Sequence, residues 1–393
     1  MAQTDQTFTG YFTPETCNLD DFKTLISQSV SRAAVPHAVE VQKNVPVYDM
    51  THLRPMLEDD TSRRVLMREW AQTLMSGAGV VVLKGAYAST DVIDEATTAF
   101  KAIIAAEKNM SGGGGDHFAA SGANDRIWNA LQKLCETAPE VFLRYFANTS
   151  IAAICEAWLG PNYQMTAQVN VVHPGGAAQT AHRDYHLGFQ TADTSAQYPA
   201  HVHDLSPALT LQGAVAHCDM PLDSGPTKLL PFSQMYRAGY AAWRLDAFRD
   251  VFEQHHIQLP LAKGDAMFFN PALFHGAGAN TSQDIQRMAN LLQVSSAFGR
   301  AMETVDRRKM CDLIYPYAAE AVKKGTLTAA EIAAALASTA EGYAFPTNLD
   351  RDPPKGGLAP ETQQAFCARA LSEGLNKQAF SAQLKAMADS QRS

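Results

Sequence analysis

Residues 263–276 read Lys-Gly-Asp-Ala-Met-Phe-Phe-Asn-Pro-Ala-Leu-Phe-His-Gly, which combines a turn, an apolar strand and a histidine at the far end of that strand. Other short stretches with strand-like patterns surround it in the middle of the chain, separated by Pro, Gly, Asp and Ser. Several short strands with frequent turns indicate a sandwich or barrel rather than a parallel sheet. The predicted strands are Val80–Leu83, 163–173, 208–217, 227–230, 256–261, 265–269 and 289–298.

Helical patterns flank this β-rich middle on both sides. Residues 1–45 are polar and weakly patterned. Between this segment and the β-rich middle, apolar residues recur at helical spacing. After residue 300, Thr328-Ala-Ala-Glu331 is a capping box that opens an alanine-rich helix. The other predicted helices are 51–75, about 90–108, 127–135, 149–158 and 360–390.

These patterns divide the chain into an N-terminal arm and helix (1–75), a β-core domain with helical insertions (76–300) and a C-terminal helical extension (301–393). We expect the extension either to cap a pocket of the core domain or to form the contact of a homodimer. The run Gly112–Gly115 lacks the Lys-Ser/Thr that follows a phosphate-binding loop. We therefore interpret it as a flexible connection or a lid and not as a nucleotide site.

The composition argues against several classes of partner. The net charge is −8, the isoelectric point is near 5.8, and no run of five or more Lys or Arg occurs, which disfavours nucleic acid and anionic membranes. No apolar stretch approaches the length of a membrane span, and the N-terminus lacks the features of a secretory signal. The 6 cysteines are scattered without a Cys-x-x-Cys pair, which indicates reduced thiols. We therefore expect a cytoplasmic protein.

Two His-x-Asp triplets could contribute to a metal site, because alternate residues of a strand point to the same face. They are His182-Arg-Asp184 and His217-Cys-Asp219. With 12 histidines and 40 acidic residues among 393 positions, about one such triplet arises by chance. The first follows a predicted strand and a flexible Pro-Gly-Gly segment, so we favour it and interpret the second as structural. Residues of the kind that line pockets follow the first triplet: Tyr185, His186 and Phe189.

A third ligand could come from the distant strand that ends at His275. Two histidines and one carboxylate then bind iron on one face and leave three positions open. Arg287 opens the strand that follows, and its guanidinium could hold a carboxylate by two parallel hydrogen bonds. Ordinary alternatives stay open: a solvated ion pair for the triplet, a hydrogen-bonded core residue for His275 and a solvated charge for Arg287. Four other histidines are predicted to lie on the surface without binding metal: His201, His203, His255 and His256.

Together these motifs resemble those of the phytanoyl-CoA dioxygenase family of Fe(II)- and 2-oxoglutarate-dependent oxygenases. The resemblance covers roughly residues 75–300. In this order and spacing the motifs are fairly specific, although each triplet alone is not. They are His182-Arg-Asp184, the stretch Asp-Ser-Gly-Pro-Thr-Lys-Leu-Leu-Pro-Phe-Ser-Gln at 223–234, the stretch 264–280 and Arg287.

The resemblance implies an α+β fold with a double-stranded β-helix (jelly-roll, cupin-like) core and flanking N- and C-terminal helices. It also implies that His182, Asp184 and His275 bind Fe(II). Arg287 would then bind the distal carboxylate of 2-oxoglutarate.

Further cosubstrate contacts follow from the same resemblance. A polar side chain on the strand before the first ligand often contacts the cosubstrate, and Asn170 or Gln168 would serve here. Many relatives have a small hydroxyl residue two positions after the distal histidine. This chain has Ala277 at that position, so Thr281 or another group must substitute. A second departure is Gln234, which stands where relatives have histidine.

These implications predict a dioxygenase that hydroxylates a small-molecule substrate with dioxygen and 2-oxoglutarate and releases succinate and carbon dioxide. The presence of Asp184 argues against a halogenase, which leaves that coordination position to chloride. Two other interpretations stay open. One is a cupin-like metal enzyme that does not use 2-oxoglutarate, and the other is a non-catalytic binding protein on the same fold.

Overall fold

A computed structural model of the protein describes residues 10–111 and 123–393. Ten β-strands in this part of the chain form one sheet of eight strands and one of two. The strands are β1 (Glu40–Gln42), β2 (Val45–Asp49), β3 (Val80–Lys84), β4 (Asn124–Ile127), β5 (Gln164–Val172), β6 (Thr210–Ala216), β7 (Lys228–Leu230), β8 (Ala266–Phe269), β9 (Phe274–Gly276) and β10 (Arg287–Ser295).

The large sheet has the strand order β1-β2-β3-β8-β6-β10-β5-β4. Its strand pairs are antiparallel except for β2 and β3, which run parallel. The strand β10 lies between β6 and β5. It pairs with β5 along its whole length, from Arg287 opposite Val172 to Ser295 opposite Gln164.

The small sheet consists of β7 and β9, and isolated bridges widen it on both sides. His182 bridges to His275 of β9, and Ile257 bridges to Leu229 of β7. Residues of both sheets line one cavity, so the two sheets face each other. Two facing, largely antiparallel sheets form a jelly roll, which confirms the predicted fold class. The predicted strand 256–261 contributes only isolated bridges.

Helices surround this core in the described residues. They are α1 (Leu19–Ile26), α2 (Met50–Leu53), α3 (Asp60–Ser76), α4 (Asp91–Ser111), α5 (Ala130–Thr137), α6 (Pro139–Phe146), α7 (Thr149–Leu159), α8 (Ala192–Ser195), α9 (Ala200–Leu205), α10 (Gly239–Ala242), α11 (Asp246–His255), α12 (Arg307–Lys324), α13 (Ala329–Thr339), α14 (Gln363–Ser372) and α15 (Lys377–Ser390).

The strand β5 shows how the large sheet separates the main core from the cavity. Met165, Ala167 and Val169 pack into the main hydrophobic core, which also contains residues of the surrounding helices. Gln168 and Asn170 point to the other face and line the cavity. This alternation follows from the two-residue repeat of a strand. One face of β5 is therefore covered by the helix-packed core, and the other faces the cavity.

The N-terminal segment differs from its prediction as an arm, because β1 and β2 belong to the large sheet. Val45 and Val47 of β2 are buried, and Val47 pairs with Val82 of β3. The chain reverses between β1 and β2 at Lys43 and Asn44, which both have positive φ angles. Strands of three and five residues are too short for a detectable alternation. The large sheet thus contains strands from both sides of residue 75, the predicted boundary of the N-terminal segment.

Two predicted helices, 51–75 and 360–390, are divided, and several described elements were not predicted. The helix expected over 51–75 is divided into α2 and α3 by a short 3-10 turn at Arg54–Leu57, because Pro55 cannot donate a helical hydrogen bond. The strand β4 and the helix α6 had no clear sequence pattern. The predicted flexible run Gly112–Gly115 lies outside the described residues. Among the described helices, none is long and apolar enough to cross a membrane.

The C-terminal extension packs onto the core as a set of helices. Tyr315 of α12 stacks on Phe380 of α15 with ring centroids 3.7 Å apart. Arg307, at the start of α12, donates a hydrogen bond of 2.9 Å to the carbonyl of Met165 in β5. The predicted capping box is confirmed, since the Thr328 side chain accepts from the backbone of Glu331 at the start of α13. The extension is therefore attached to the helix-covered face of the large sheet.

Candidate metal site

The three side chains predicted as metal ligands lie together beside the small sheet. His182 Nε2 lies 3.5 Å from Asp184 Oδ1, and His275 Nε2 lies 3.3 Å from Asp184 Oδ2. The potential ligand atoms all lie within 4.8 Å of one another. Two backbone hydrogen bonds, of 3.0 and 3.2 Å, join His182 to His275 and hold the two segments side by side. In residues 10–111 and 123–393 no other three His, Cys, Asp or Glu residues converge in this way.

Each imidazole has its outer nitrogen held by a backbone carbonyl. Nδ1 of His182 donates to Thr180 at 2.9 Å, and Nδ1 of His275 donates to Leu273 at 2.8 Å. Because a carbonyl only accepts, Nδ1 carries a hydrogen, which leaves Nε2 of each ring as the atom that can bind a metal. Metal-binding histidines are oriented by hydrogen bonds of this kind. Burial also lowers the pKa of His182, which favours its neutral form.

The Asp184 carboxylate is held between the imidazoles and an amide. Gln212 of β6 donates its Nε2 hydrogen to Asp184 Oδ2. Burial alone would raise the pKa of Asp184, but His182, His275 and the Gln212 bond outweigh it and lower this pKa. The group is therefore an anion at neutral pH. Two imidazoles and one carboxylate on one side of a cavity fit Fe(II) with open coordination positions.

Arg183, the middle residue of the triplet, is held by hydrogen bonds to a neighbouring loop. Its side chain is buried and donates to the carbonyls of Ser233 at 2.7 Å and Tyr236 at 2.8 Å. A Cβ atom at Gly239 would lie 2.0 Å from the guanidinium carbon, so only glycine allows this close approach. Burial lowers the pKa of Arg183 to about 10, which leaves it charged at neutral pH. His182 and Asp184 are thus anchored by the residue between them.

A cavity of about 1200 Å³ opens beside the three side chains. This volume is larger than most ligand pockets, which hold roughly 300–1000 Å³. Apolar side chains form much of its wall: Met220, Trp243, Leu261, Met267, Phe269 and Leu291. The cavity has room for both a small dicarboxylate and a second organic molecule.

Arg287 lies on the wall of the same cavity and is buried. Its Nη1 donates to the carbonyls of Ser224 at 2.9 Å and Gly278 at 3.1 Å. Among the described residues no carboxylate pairs with it, and its Nε and Nη2 hydrogens have no protein acceptor. Burial lowers the pKa of Arg287 to about 10, so the group remains a cation at neutral pH. A buried cation with free donors attracts an anion into the cavity.

The other predicted cosubstrate contacts are divided between the cavity and the surface. Asn170 and Gln168 line the cavity, and Gln168 Oε1 accepts a hydrogen bond of 3.0 Å from Arg126. Thr281 is exposed, and its hydroxyl donates to the carbonyl of Asp223 at 3.1 Å. The structure therefore does not bring Thr281 to the cavity wall, because its backbone N–H and its hydroxyl both donate to the carbonyl of the exposed Asp223.

The second triplet lies in the core. The ring nitrogens of His217 are 2.8 Å from the Thr97 hydroxyl and 2.9 Å from the Tyr145 hydroxyl, so both are satisfied. Burial lowers the pKa of His217 to about 3. These contacts agree with the structural interpretation of this triplet.

One of the four histidines predicted on the surface is buried. His203 lies on the inner face of α9 with Ala200, and its Nε2 is 3.1 Å from the Ser195 carbonyl. The prediction was wrong for this residue because the short helix was read as a polar loop. His201 and His255 are exposed and His256 is half-buried.

Sequence reasoning missed Gln212, which contacts Asp184. It lies in β6, where the sequence Thr-Leu-Gln-Gly-Ala-Val-Ala is otherwise mostly apolar. A single polar side chain within a fully buried strand was the available signal. Its partner could not be inferred, because that contact depends on where the triplet crosses the sheet.

The family profile described as phytanoyl-CoA dioxygenase (PhyH) matches residues 75–289, which are 215 of the 393 residues and more than half of the chain. The chain therefore belongs to the phytanoyl-CoA dioxygenase family, as its motifs predicted. Members of this family use Fe(II) and 2-oxoglutarate, the cofactors expected from the sequence.

Individual relatives are more distant. The dioxygenase andF of Emericella variicolor is 26% identical over 142 residues, which are 34% of this chain and 43% of that protein. The chain thus matches less than half the length of this curated relative. Among solved structures, the non-haem α-ketoglutarate-dependent epimerase SnoN from nogalamycin biosynthesis is 19% identical, with a TM-score of 0.40 over 59% of this chain and 83% of that one. The carbocyclase SnoK from nogalamycin biosynthesis is 20% identical, with a TM-score of 0.42 over 58% and 83%.

Proposed function

We propose that this protein is an Fe(II)- and 2-oxoglutarate-dependent dioxygenase that hydroxylates a small organic substrate. The observation that carries the proposal is the convergence of His182, Asp184 and His275 at a cavity that also contains the unpaired guanidinium of Arg287. A metal-binding triad and a buried anion site in one cavity are what a metal and a dicarboxylate cosubstrate require.

In the overall reaction, one oxygen atom of dioxygen is inserted into a substrate C–H bond as a hydroxyl group. The other oxygen atom is incorporated into succinate, which forms from 2-oxoglutarate with release of carbon dioxide. Bound iron supplies the redox chemistry that activates dioxygen; the protein provides binding, orientation and a cavity that excludes water. Membership of the phytanoyl-CoA dioxygenase family supports this assignment of chemistry.

Arg287 would bind the distal carboxylate of 2-oxoglutarate through its free Nε and Nη2 hydrogens. The two Nη1 hydrogen bonds to Ser224 and Gly278 hold the guanidinium plane in place, so little side-chain entropy is lost on binding. Asn170 and Gln168 lie on β5, the strand paired with that of Arg287, and would also contact the cosubstrate.

The substrate would occupy the rest of the cavity. Its apolar wall favours a substrate with an apolar body, and its volume of about 1200 Å³ allows a molecule of drug-like size beside the cosubstrate. Dioxygen and a small molecule are therefore the proposed partners of the site.

The test is a succinate-release assay with Fe(II), ascorbate, 2-oxoglutarate and a panel of organic acids, amines and polycyclic alcohols. We expect some panel members to stimulate succinate release, and we expect Asp184→Ala to abolish it. The matched control is Asp219→Ala in the second His-x-Asp triplet, whose exposed carboxylate accepts a hydrogen bond from the backbone of Lys263. Undiminished turnover in Asp184→Ala would refute the proposal.

A further inference from the structure

We propose that Gln212 is a positioning residue that holds the Asp184 carboxylate in the orientation needed to bind a metal through one oxygen. The inference rests on the proposed function only in taking Asp184 as a metal ligand. It adds a residue on β6 to a site otherwise built from the small sheet and the triplet segment.

The orientation of the Gln212 amide is fixed by chemistry. A carboxylate only accepts hydrogen bonds, so the amide must present Nε2 to Asp184 Oδ2, and Oε1 must point elsewhere. Oε1 is buried and has no hydrogen-bond partner among the described residues. The amide thus keeps the bond to Asp184 although its other end is left without a protein donor.

The location of Gln212 makes this contact rigid. Its side chain is only 5% exposed, and β6 lies between β8 and β10 in the interior of the large sheet. Gln212 pairs with Phe269 on one side and with Gln293 on the other. A side chain on a central strand has little freedom to move, so it can define the rotation of a flexible carboxylate.

The consequence for metal binding follows from the two carboxylate oxygens. Gln212 donates a hydrogen bond to Oδ2, which also lies 3.3 Å from His275 Nε2, whereas Oδ1 lies 3.5 Å from His182 Nε2. Binding through Oδ1 alone uses one coordination position and leaves three open beside two imidazoles. Without the amide, Asp184 could rotate or bind through both oxygens, which would close a position needed by the cosubstrate or by dioxygen.

The experiment measures binding of Co(II), as a redox-stable probe, to the purified full chain by calorimetry and by its visible absorption spectrum. We expect Gln212→Met, which keeps the size but removes the donor, to weaken Co(II) binding by about tenfold or more and to change the spectrum. The matched control is Gln293→Met, which alters the neighbouring glutamine of the same cavity wall. Gln293 contacts Tyr185 and not Asp184, so Co(II) affinity and spectrum should stay as in the wild type.

The outcomes separate this inference from the proposed function. If the wild type fails to bind Co(II), the metal assignment itself is wrong. If the wild type binds and Gln212→Met binds with the same affinity and spectrum, Gln212 has no positioning role. Should Gln212→Met not fold, Gln212→Asn replaces it, because the shorter amide cannot reach Asp184 and is expected to weaken binding in the same direction.

Discussion

His182 and His275 face each other across a single antiparallel bridge, with their ring centroids 4.5 Å apart. The backbone hydrogen bonds of this bridge set the separation of the two rings, and a carbonyl two residues before each histidine sets its tilt. The backbone therefore sets the relative position and the tilt of the two imidazoles. Because the two rings are held in this way, we expect a single substitution in the site to affect mainly the contact that it removes.

The first prediction concerns the histidines. We expect His275→Ala to weaken Fe(II) or Co(II) binding by more than about 100-fold, because loss of a ligand should exceed the usual effect of losing an outer hydrogen bond. Anaerobic titration measures this affinity. His186→Ala is the control, since His186 lies near the triplet but its Nδ1 is 3.0 Å from the Ser206 hydroxyl. Equal affinities in the two variants would contradict the assignment of His275.

The second prediction concerns the cosubstrate. We expect Arg287→Met to raise the KM for 2-oxoglutarate by about 30-fold or more, because truncating one partner of a buried charge pair costs at least about 2 kcal/mol. Co(II) affinity should change little, which separates this effect from damage to the triad. An unaltered KM would favour a cupin-like metal enzyme that does not use 2-oxoglutarate.

The third prediction concerns Arg183, which lies between the proposed ligands His182 and Asp184. Arg183→Met removes the hydrogen bonds to Ser233 and Tyr236, so we expect the free energy of unfolding to fall by about 3 kcal/mol. Urea denaturation measures this loss. The control is Arg237→Met, because Arg237 follows Tyr236 in the chain and its exposed ion pair with Asp204 contributes at most about 1 kcal/mol. Similar losses in both variants would show that Arg183 has no special anchoring role.

The fourth prediction concerns the pH dependence of stability. Burial lowers the pKa of His217 from 6.5 to about 3, so the unfolded chain binds a proton below pH 6.5 that the folded chain does not. This stabilising contribution is present above pH 6.5 and is lost progressively as the pH falls towards 3.

We therefore expect the wild type to lose about 2 kcal/mol more unfolding free energy between pH 7 and pH 5 than the variant His217→Gln. Glutamine can keep the contacts to Thr97 and Tyr145 without titrating. Denaturant titrations at the two pH values provide the comparison. An identical pH dependence in both proteins would mean that folding does not lower the pKa of His217.

The sequence predicted the features that depend on local repeats. The His-x-Asp spacing predicted that His182 and Asp184 lie on one side, and they do, although their segment forms only an isolated bridge at His182 and not the expected strand. The capping box located the start of α13. The strands β1 and β2 were missed because three or five residues carry too little periodicity. The contact of Gln212 with Asp184 could not be predicted, because it joins segments that approach only once both sheets have formed. The exposed position of Thr281 could not be predicted either, because it depends on the contact of its loop with Asp223.

The central place of β10 has a consequence for trimming the protein. The family match ends at residue 289, whereas β10 continues to Ser295 between β5 and β6. A fragment cut at that limit would retain only the first three residues of the strand and would separate two halves of the barrel wall. The part of this chain that matches the family profile is therefore shorter than the part that must be kept for the fold. Shortened variants need to extend beyond both ends of the matched residues.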